Sequence, residues 1–118
     1  MRKIHFWLVA FFMFAHCTAV MADDYVQNND IPYQENGNEY AKERCKIDFY
    51  YPTHVKEFPV VVWFHGGGLE GGGKFIPQEL KDQGIGVIGV DYRLLPKAGI
   101  EERRDDAAAA VAWAFRHV

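Results

Sequence analysis

Serine is absent from these 118 residues, which excludes a serine nucleophile, and the G-x-S-x-G turn that would present one, anywhere in the stretch. Cysteine is scarce, with Cys17 and Cys45 alone. Only Cys45 would outlast removal of a leader, so no internal disulfide is available, and Cys45 is expected to be a buried small hydrophobe on a strand. Positive charge is not in excess: 13 Lys and Arg stand against 16 Asp and Glu, a net charge of −3. With no Lys/Arg stripe carrying interleaved aromatics, nucleic acid is excluded as a partner. No apolar run reaches the roughly 20 residues of a membrane-spanning helix. Internal repeats and low-complexity segments are also missing.

What is present begins with a leader. Arg2 and Lys3 precede an apolar core, Ile4 to Ala15, and Val20-Met21-Ala22 is a small-residue cleavage pattern followed by Asp23 and Asp24. Residues 1–22 are therefore expected to be a secretory signal peptide, which sends the protein to the periplasm or the extracellular space and leaves no membrane span after cleavage. Lipid attachment at Cys17 would need a small residue before it, and His16 is there. Cleavage removes two positive charges and no acid, so the mature chain is more acidic. Residues 23–118 have the balance of apolar and charged residues of a single globular domain.

Along that domain, Asp23 to Lys42 reads as a polar, extended lead-in with a short edge strand near Ile31 to Tyr33 and a turn at Asn36-Gly37-Asn38. Cys45, Ile47, Phe49 and Tyr51 alternate with Lys46, Asp48 and Tyr50, the pattern of a half-buried antiparallel strand near a sheet edge. The link Thr53 to Glu57 is too short for a helical crossover, so the next strand should not be its parallel neighbour. That strand is the apolar run opening the stretch Phe58 to Lys74, and it stops on a histidine and glycines. Ile76 to Gln83 is expected to be a crossover helix stopped by Gly84, which would make the strand Ile85 to Val90 parallel to the first. From Ile100 the pattern is helical, with an apolar face drawn from Ala107 to Ala110, Val111, Ala114, Phe115 and Val118.

The glycine run fits three patterns. Gly66-Gly67-Gly68-Leu69-Glu70-Gly71 matches the dinucleotide signature G-x-G-x-x-G, and Asp91 ends the next strand at nearly the expected distance. Gly72 and Gly73 continue beyond it, however, and each glycine in a helix interior costs about 1 kcal/mol, so the helix that should receive a pyrophosphate will not start there. Gly68 to Lys74 matches the phosphate loop, except that Phe75 replaces the hydroxyl that should hold magnesium. The third pattern is His65-Gly66-Gly67-Gly68.

That third pattern comes with Tyr50-Tyr51-Pro52 before it, and with Gly89-Val90-Asp91-Tyr92-Arg93-Leu94-Leu95-Pro96, Asp106, Ala109-Ala110 and Trp113 after it. In this order the residues resemble the α/β-hydrolase superfamily, specifically the HGGG carboxylesterases and lipases similar to hormone-sensitive lipase and to bacterial acetyl and feruloyl esterases. The resemblance implies an α/β fold: the N-terminal part of an α/β-hydrolase sheet, with an antiparallel edge strand and then parallel strands with crossover helices, stopping before the nucleophile elbow. It implies that the backbone amides of Gly67 and Gly68 form part of an oxyanion hole, with Gly66 allowing the turn and His65 holding the loop. A role for His65 as catalytic base is the sharper alternative, but in the superfamily the base lies late in the chain. Asp91, Arg93 and Asp106 match structural positions, and Arg93 is expected to pair with Asp106. Tyr92 either borders the cleft or packs, Trp113 packs on the sheet, and Glu70 and Lys74 receive no role. No cofactor and no metal are implied, and the partner of the complete protein is a small-molecule ester.

Two expectations of different class follow. In one, these residues are the N-terminal part of an exported carboxylic-ester hydrolase whose nucleophile, acid and base lie beyond Val118, so that the stretch alone is inactive. In the other, the polypeptide is a non-catalytic remnant or interaction protein with a hydrolase-like half fold.

Overall fold

The computed structural model describes residues 24–118; the expected leader, residues 1–22, lies outside the described residues. Strand β1 is Tyr25–Pro32 and strand β2 is Lys46–Pro52. They pair antiparallel from Tyr25 opposite Pro52, with the register shifting between Asn28 and Ile31, where Asp30 takes a φ of 56°. The short strand expected at Ile31 to Tyr33 thus starts much earlier. Its polar, mostly exposed side chains carry no strand pattern, and backbone pairing with β2 holds it instead.

Between these strands lies helix α1, Glu39–Arg44, in a region expected to be extended. Asn38, part of the expected turn, is its N-cap: the side-chain oxygen accepts the Ala41 amide at 2.9 Å. Ala41 faces the core and Tyr33 packs beside it. So short a helix is stable here because it is capped and docked, not through propensity.

Strand β2 lies one strand in from the sheet edge, antiparallel to both of its neighbours, but it is buried rather than half-buried. The sheet order is β1-β2-β4-β3, with β3 spanning Val60–Phe64 and β4 spanning Gly86–Val90. Both faces of β2 are covered: Ile47 and Phe49 join one core cluster, and Tyr50 joins the other. The polar alternates that suggested a wet face are satisfied internally. Tyr50 stacks on Tyr25 with centroids 4.8 Å apart and donates to Asp82, while Asp48 accepts from Lys74. β4 inserts antiparallel to β2 and parallel to β3, so β2 and β3 are not neighbours, as the short link required.

The expected crossover helix over Ile76 to Gln83 does not form. Only a 3-10 turn at Gln78–Leu80 is present, and Asp82 and Gly84 both take positive φ. Tertiary contacts override the weak helical pattern. Ile76 is buried under the sheet with Val87, and the Tyr25 hydroxyl accepts the Gly84 amide at 2.7 Å.

Helix α2 is Ile100–His117, and of the expected apolar face Ala109, Ala110 and Ala114 pack on the core while Val111, Phe115 and Val118 do not. Asp106 and Ala110 are fully buried, and Ala109, Trp113 and Ala114 pack against the core, while Phe115 is 86 % exposed. The buried carboxylate must face its cation, and that sets the rotation of the helix. Trp113 meets Phe49 edge to face at 6.1 Å, the packing on the sheet anticipated for it. Both helices cover one face of a partial α/β mixed sheet, and residues 75–85 cover the other.

Candidate functional site

Strands β3 and β4 end in step, Phe64 opposite Val90, so His65 and Asp91 emerge side by side at the carboxyl edge of the sheet. The His65 ring is 4 % exposed and lies flat on Tyr92, with centroids 4.6 Å apart. The Tyr92 hydroxyl donates to the His65 carbonyl at 2.7 Å, so Tyr92 packs into the loop base, and burial raises its phenol pKa. His65 Nδ1 lies 2.6 Å from the Gly66 carbonyl, which can only accept, so that contact places a proton on Nδ1. Nε2 is buried without a hydrogen-bond partner among the described residues, 3.6 Å from Asp91 Oδ1.

After His65 the chain turns through three residues of positive φ: Gly67 at 124°, Gly68 at 63° and Leu69 at 67°. A Cβ on Gly67 would drive into the Gly71 carbonyl, so this position excludes every other residue on both conformation and space. The Gly67 carbonyl accepts the amides of Glu70 and Gly71, each at 3.2 Å, closing a tight turn. Among the described residues the Gly67 and Gly68 amides donate to no protein acceptor. Successive free N–H groups on a left-handed turn form a concavity suited to negative charge.

The returning limb of the loop is tied down at several points. Asp91 Oδ1 accepts the Lys74 amide at 2.6 Å. The Lys74 ammonium bridges Asp30 and Asp48 at 2.8 and 2.9 Å. Burial alone would lower its pKa, and the two carboxylates more than reverse that. Lys74, assigned no role from sequence, thus joins the loop to β1 and β2. Arg44 at the end of α1 reaches the Gly72 carbonyl at 3.3 Å and the Tyr92 carbonyl at 3.2 Å.

Arg93 and Asp106, expected to pair, do so in a two-pronged contact, with Nη2 to Oδ1 at 2.8 Å and Nε to Oδ2 at 3.0 Å. The Arg93 amide and the Gln34 side chain also donate to this carboxylate. Burial pushes the Asp106 carboxyl up, but these donors outweigh it and hold the group below the usual carboxylate range. The pair joins the segment after β4 to α2. Lys74 received no role from the sequence, and Gln34 and Arg44 were not picked out from it. Their only signal was an N-cap at Asn38, which would have placed α1 and brought Arg44 to the loop.

Cys45 is 1 % exposed, and burial pushes its thiol up to about 11, which makes it packing rather than chemistry. No group of three metal-ligating side chains, and no helix long and apolar enough to cross a membrane, occurs among the described residues. A groove of about 1060 Å³ lies between β3 and the end of α2, lined by Phe58, Val60, Trp113 and Phe115. It contains none of the loop residues.

No family model matches the chain. The described architecture is similar to esterase B from Lactobacillus rhamnosis, with a TM-score of 0.63 and 24% identity over 80% of this chain and 31% of that structure. The fold is like an incomplete α/β-hydrolase fold of the esterase and lipase kind. In sequence, the chain is 37% identical over 73 residues to the carboxylesterase NlhH of Mycobacterium tuberculosis, covering 57% of this chain and 23% of that protein. It is 28% identical over 93 residues to a probable isoprenylcysteine alpha-carbonyl methylesterase of Arabidopsis thaliana, covering 74% and 20%. The chain thus spans about a fifth of the length of the curated relatives it matches. No serine, and hence no nucleophile elbow, lies in that span.

Proposed function

We propose that residues 23–118 are the oxyanion-binding, N-terminal part of an exported carboxylic-ester hydrolase of serine type. The observation that carries this reading is the pair of unclaimed amides at Gly67 and Gly68, held on a left-handed turn at the carboxyl edge of the sheet. Such donors cost no reorganisation when an ester carbonyl is attacked and its oxygen becomes negative, and one of them is worth roughly 10²- to 10³-fold in rate. The nucleophile, its base and the orienting acid must come from residues outside this stretch, and the substrate is a small-molecule ester. Export rests on the leader at residues 1–22. N-terminal sequencing of the mature protein should begin at Asp23.

A second reading, a non-catalytic polypeptide with a hydrolase-like half fold, is favoured by one observation, the absence of serine. Reading the gene past codon 118 in all frames separates the two. A strand leading into G-x-S-x-G within a few dozen residues is expected, and its absence from every frame favours the second reading. The complete protein should then hydrolyse a short acyl ester such as p-nitrophenyl acetate, with activity abolished on replacing the elbow serine. Gly67→Ala keeps the amide, but its Cβ would displace the turn against the Gly71 carbonyl, and the misplaced donor should lower kcat by roughly 10²-fold. A complete protein that cleaves no ester would overturn the proposal.

A further inference from the structure

The loop that carries Gly67 and Gly68 has two limbs, and the second is held from outside. Gly72 lies so close to the first limb that a Cβ there would meet the Gly66 carbonyl at 2.5 Å and His65 Nδ1 at 2.6 Å. Gly71, its neighbour, donates its amide to the Gly67 carbonyl at 3.2 Å. The position of the returning limb therefore fixes the peptide planes at Gly67. Beside the contacts at Lys74, one side chain from α1 reaches the limb at its midpoint: Arg44 Nη2 donates to the Gly72 carbonyl at 3.3 Å and lies 3.5 Å from Asp91 Oδ1, while its Nε donates to the Tyr92 carbonyl at 3.2 Å. Arg44 and Asp91 are only 20% and 17% exposed in their side chains. Partial burial strengthens the contacts to Tyr92 and Asp91, while the bond to Gly72 is exposed.

We propose that Arg44 is a positioning residue for the oxyanion loop: one edge of its guanidinium joins the Gly72 carbonyl, the segment after β4 and Asp91, and thereby sets the direction of the Gly67 and Gly68 amides. This rests on the reading of those amides as oxyanion donors. The geometry calls for the guanidinium and not merely for its charge. Three acceptors on two stretches, Gly72 on one and Asp91 and Tyr92 on the other, are met by two nitrogens of a rigid plane, whereas lysine offers a single ammonium that cannot span them.

The test uses the complete protein with Arg44→Met, which keeps most of the stem, and Arg44→Lys, which keeps the charge. Two readouts are taken: amide hydrogen exchange in peptides covering residues 66–74 and 86–90, and kcat and KM on p-nitrophenyl acetate. In Arg44→Met the 66–74 peptide should exchange about tenfold faster or more while the 86–90 peptide is unchanged. Its kcat should fall by about 10- to 100-fold, the scale of a misplaced catalytic group, with KM within about twofold. Arg44→Lys should recover only part of both effects. Unchanged exchange at 66–74 overturns the proposal, as does loosening of 86–90 to the same degree, which would make Arg44 a support of the whole sheet. A loosened loop with wild-type kcat overturns it too, because the loop would then be held to no catalytic end. Full recovery by Arg44→Lys overturns the argument from the fork. If the wild-type protein cleaves no ester, the oxyanion reading fails by itself, and the exchange experiment still decides whether Arg44 fixes the loop.

Discussion

Asp106 has no solvent exposure, yet it is held ionised by an arginine fork, a backbone amide and the Gln34 side chain. A carboxylate so placed makes stability depend on pH in a definite direction. An unfolded aspartate titrates near about 4, and the folded value is lower, so the contribution is complete above about pH 4 and is lost as pH falls through the folded value. Urea midpoints taken from pH 7 to pH 3 should therefore drop at the acid end, and Asp106→Asn should flatten that drop. The same substitution should cost roughly 3–5 kcal/mol at neutral pH, since Arg93 would be left with a buried, uncompensated charge. Removing both partners, as Arg93→Met with Asp106→Leu, should recover part of that loss. A double-mutant cycle with no coupling energy would remove the pair from this account.

At the scale of the element, α2 shows what packing does to a pattern. From residue 100 onward the helix was legible, because alanines and helix formers run without a break. Its buried face was legible in part: Ala110 and Trp113 pack as expected, but hydrophobicity also nominated Phe115 and Val118, which are exposed, while the ion pair buries Asp106. Trp113→Ala should destabilise the fold by roughly 2–3 kcal/mol, discounted from the figure for a fully buried aromatic. Phe115→Ala should change it by no more than about 0.5 kcal/mol, and chemical denaturation of the two variants distinguishes the faces. The reverse error occurred at residues 76–83. A helical reading was reasonable there, but positive φ at Asp82 and Gly84 and contacts to two tyrosines hold the segment open. Strands β3 and β4 were legible from their apolar runs, and their parallel pairing from the length of the link between them, although that link holds a 3-10 turn where a crossover helix was expected. Helix α1, and with it Arg44, was hidden in a polar stretch whose helicity depends on a cap and a docking surface. The histidine and glycines were visible, but the groups that hold them were not, because those come from β1, α1 and β2 through contacts distant in sequence.

For the molecule as a whole, the sheet order leaves β3 at an edge of the described structure, with no charged residue among Val60–Phe64 and with Trp63 and Phe64 each 37% exposed. An uncharged, apolar edge invites pairing with another chain. The 118-residue polypeptide expressed alone should associate in a concentration-dependent way, and Val61→Lys should suppress that association in light scattering or sedimentation. A monodisperse monomer at tens of micromolar would contradict this.

The shared end point of β3 and β4 also governs which changes of chain length the molecule can absorb. The link between β2 and β3 is exposed and polar, so an added residue there is taken up as slack. One residue inserted between Val60 and Phe64 has no such outlet. It would turn His65 to the opposite face of the sheet and carry the glycine loop away from Asp91, so a lineage could lengthen the first segment freely while the second stays locked at its present count.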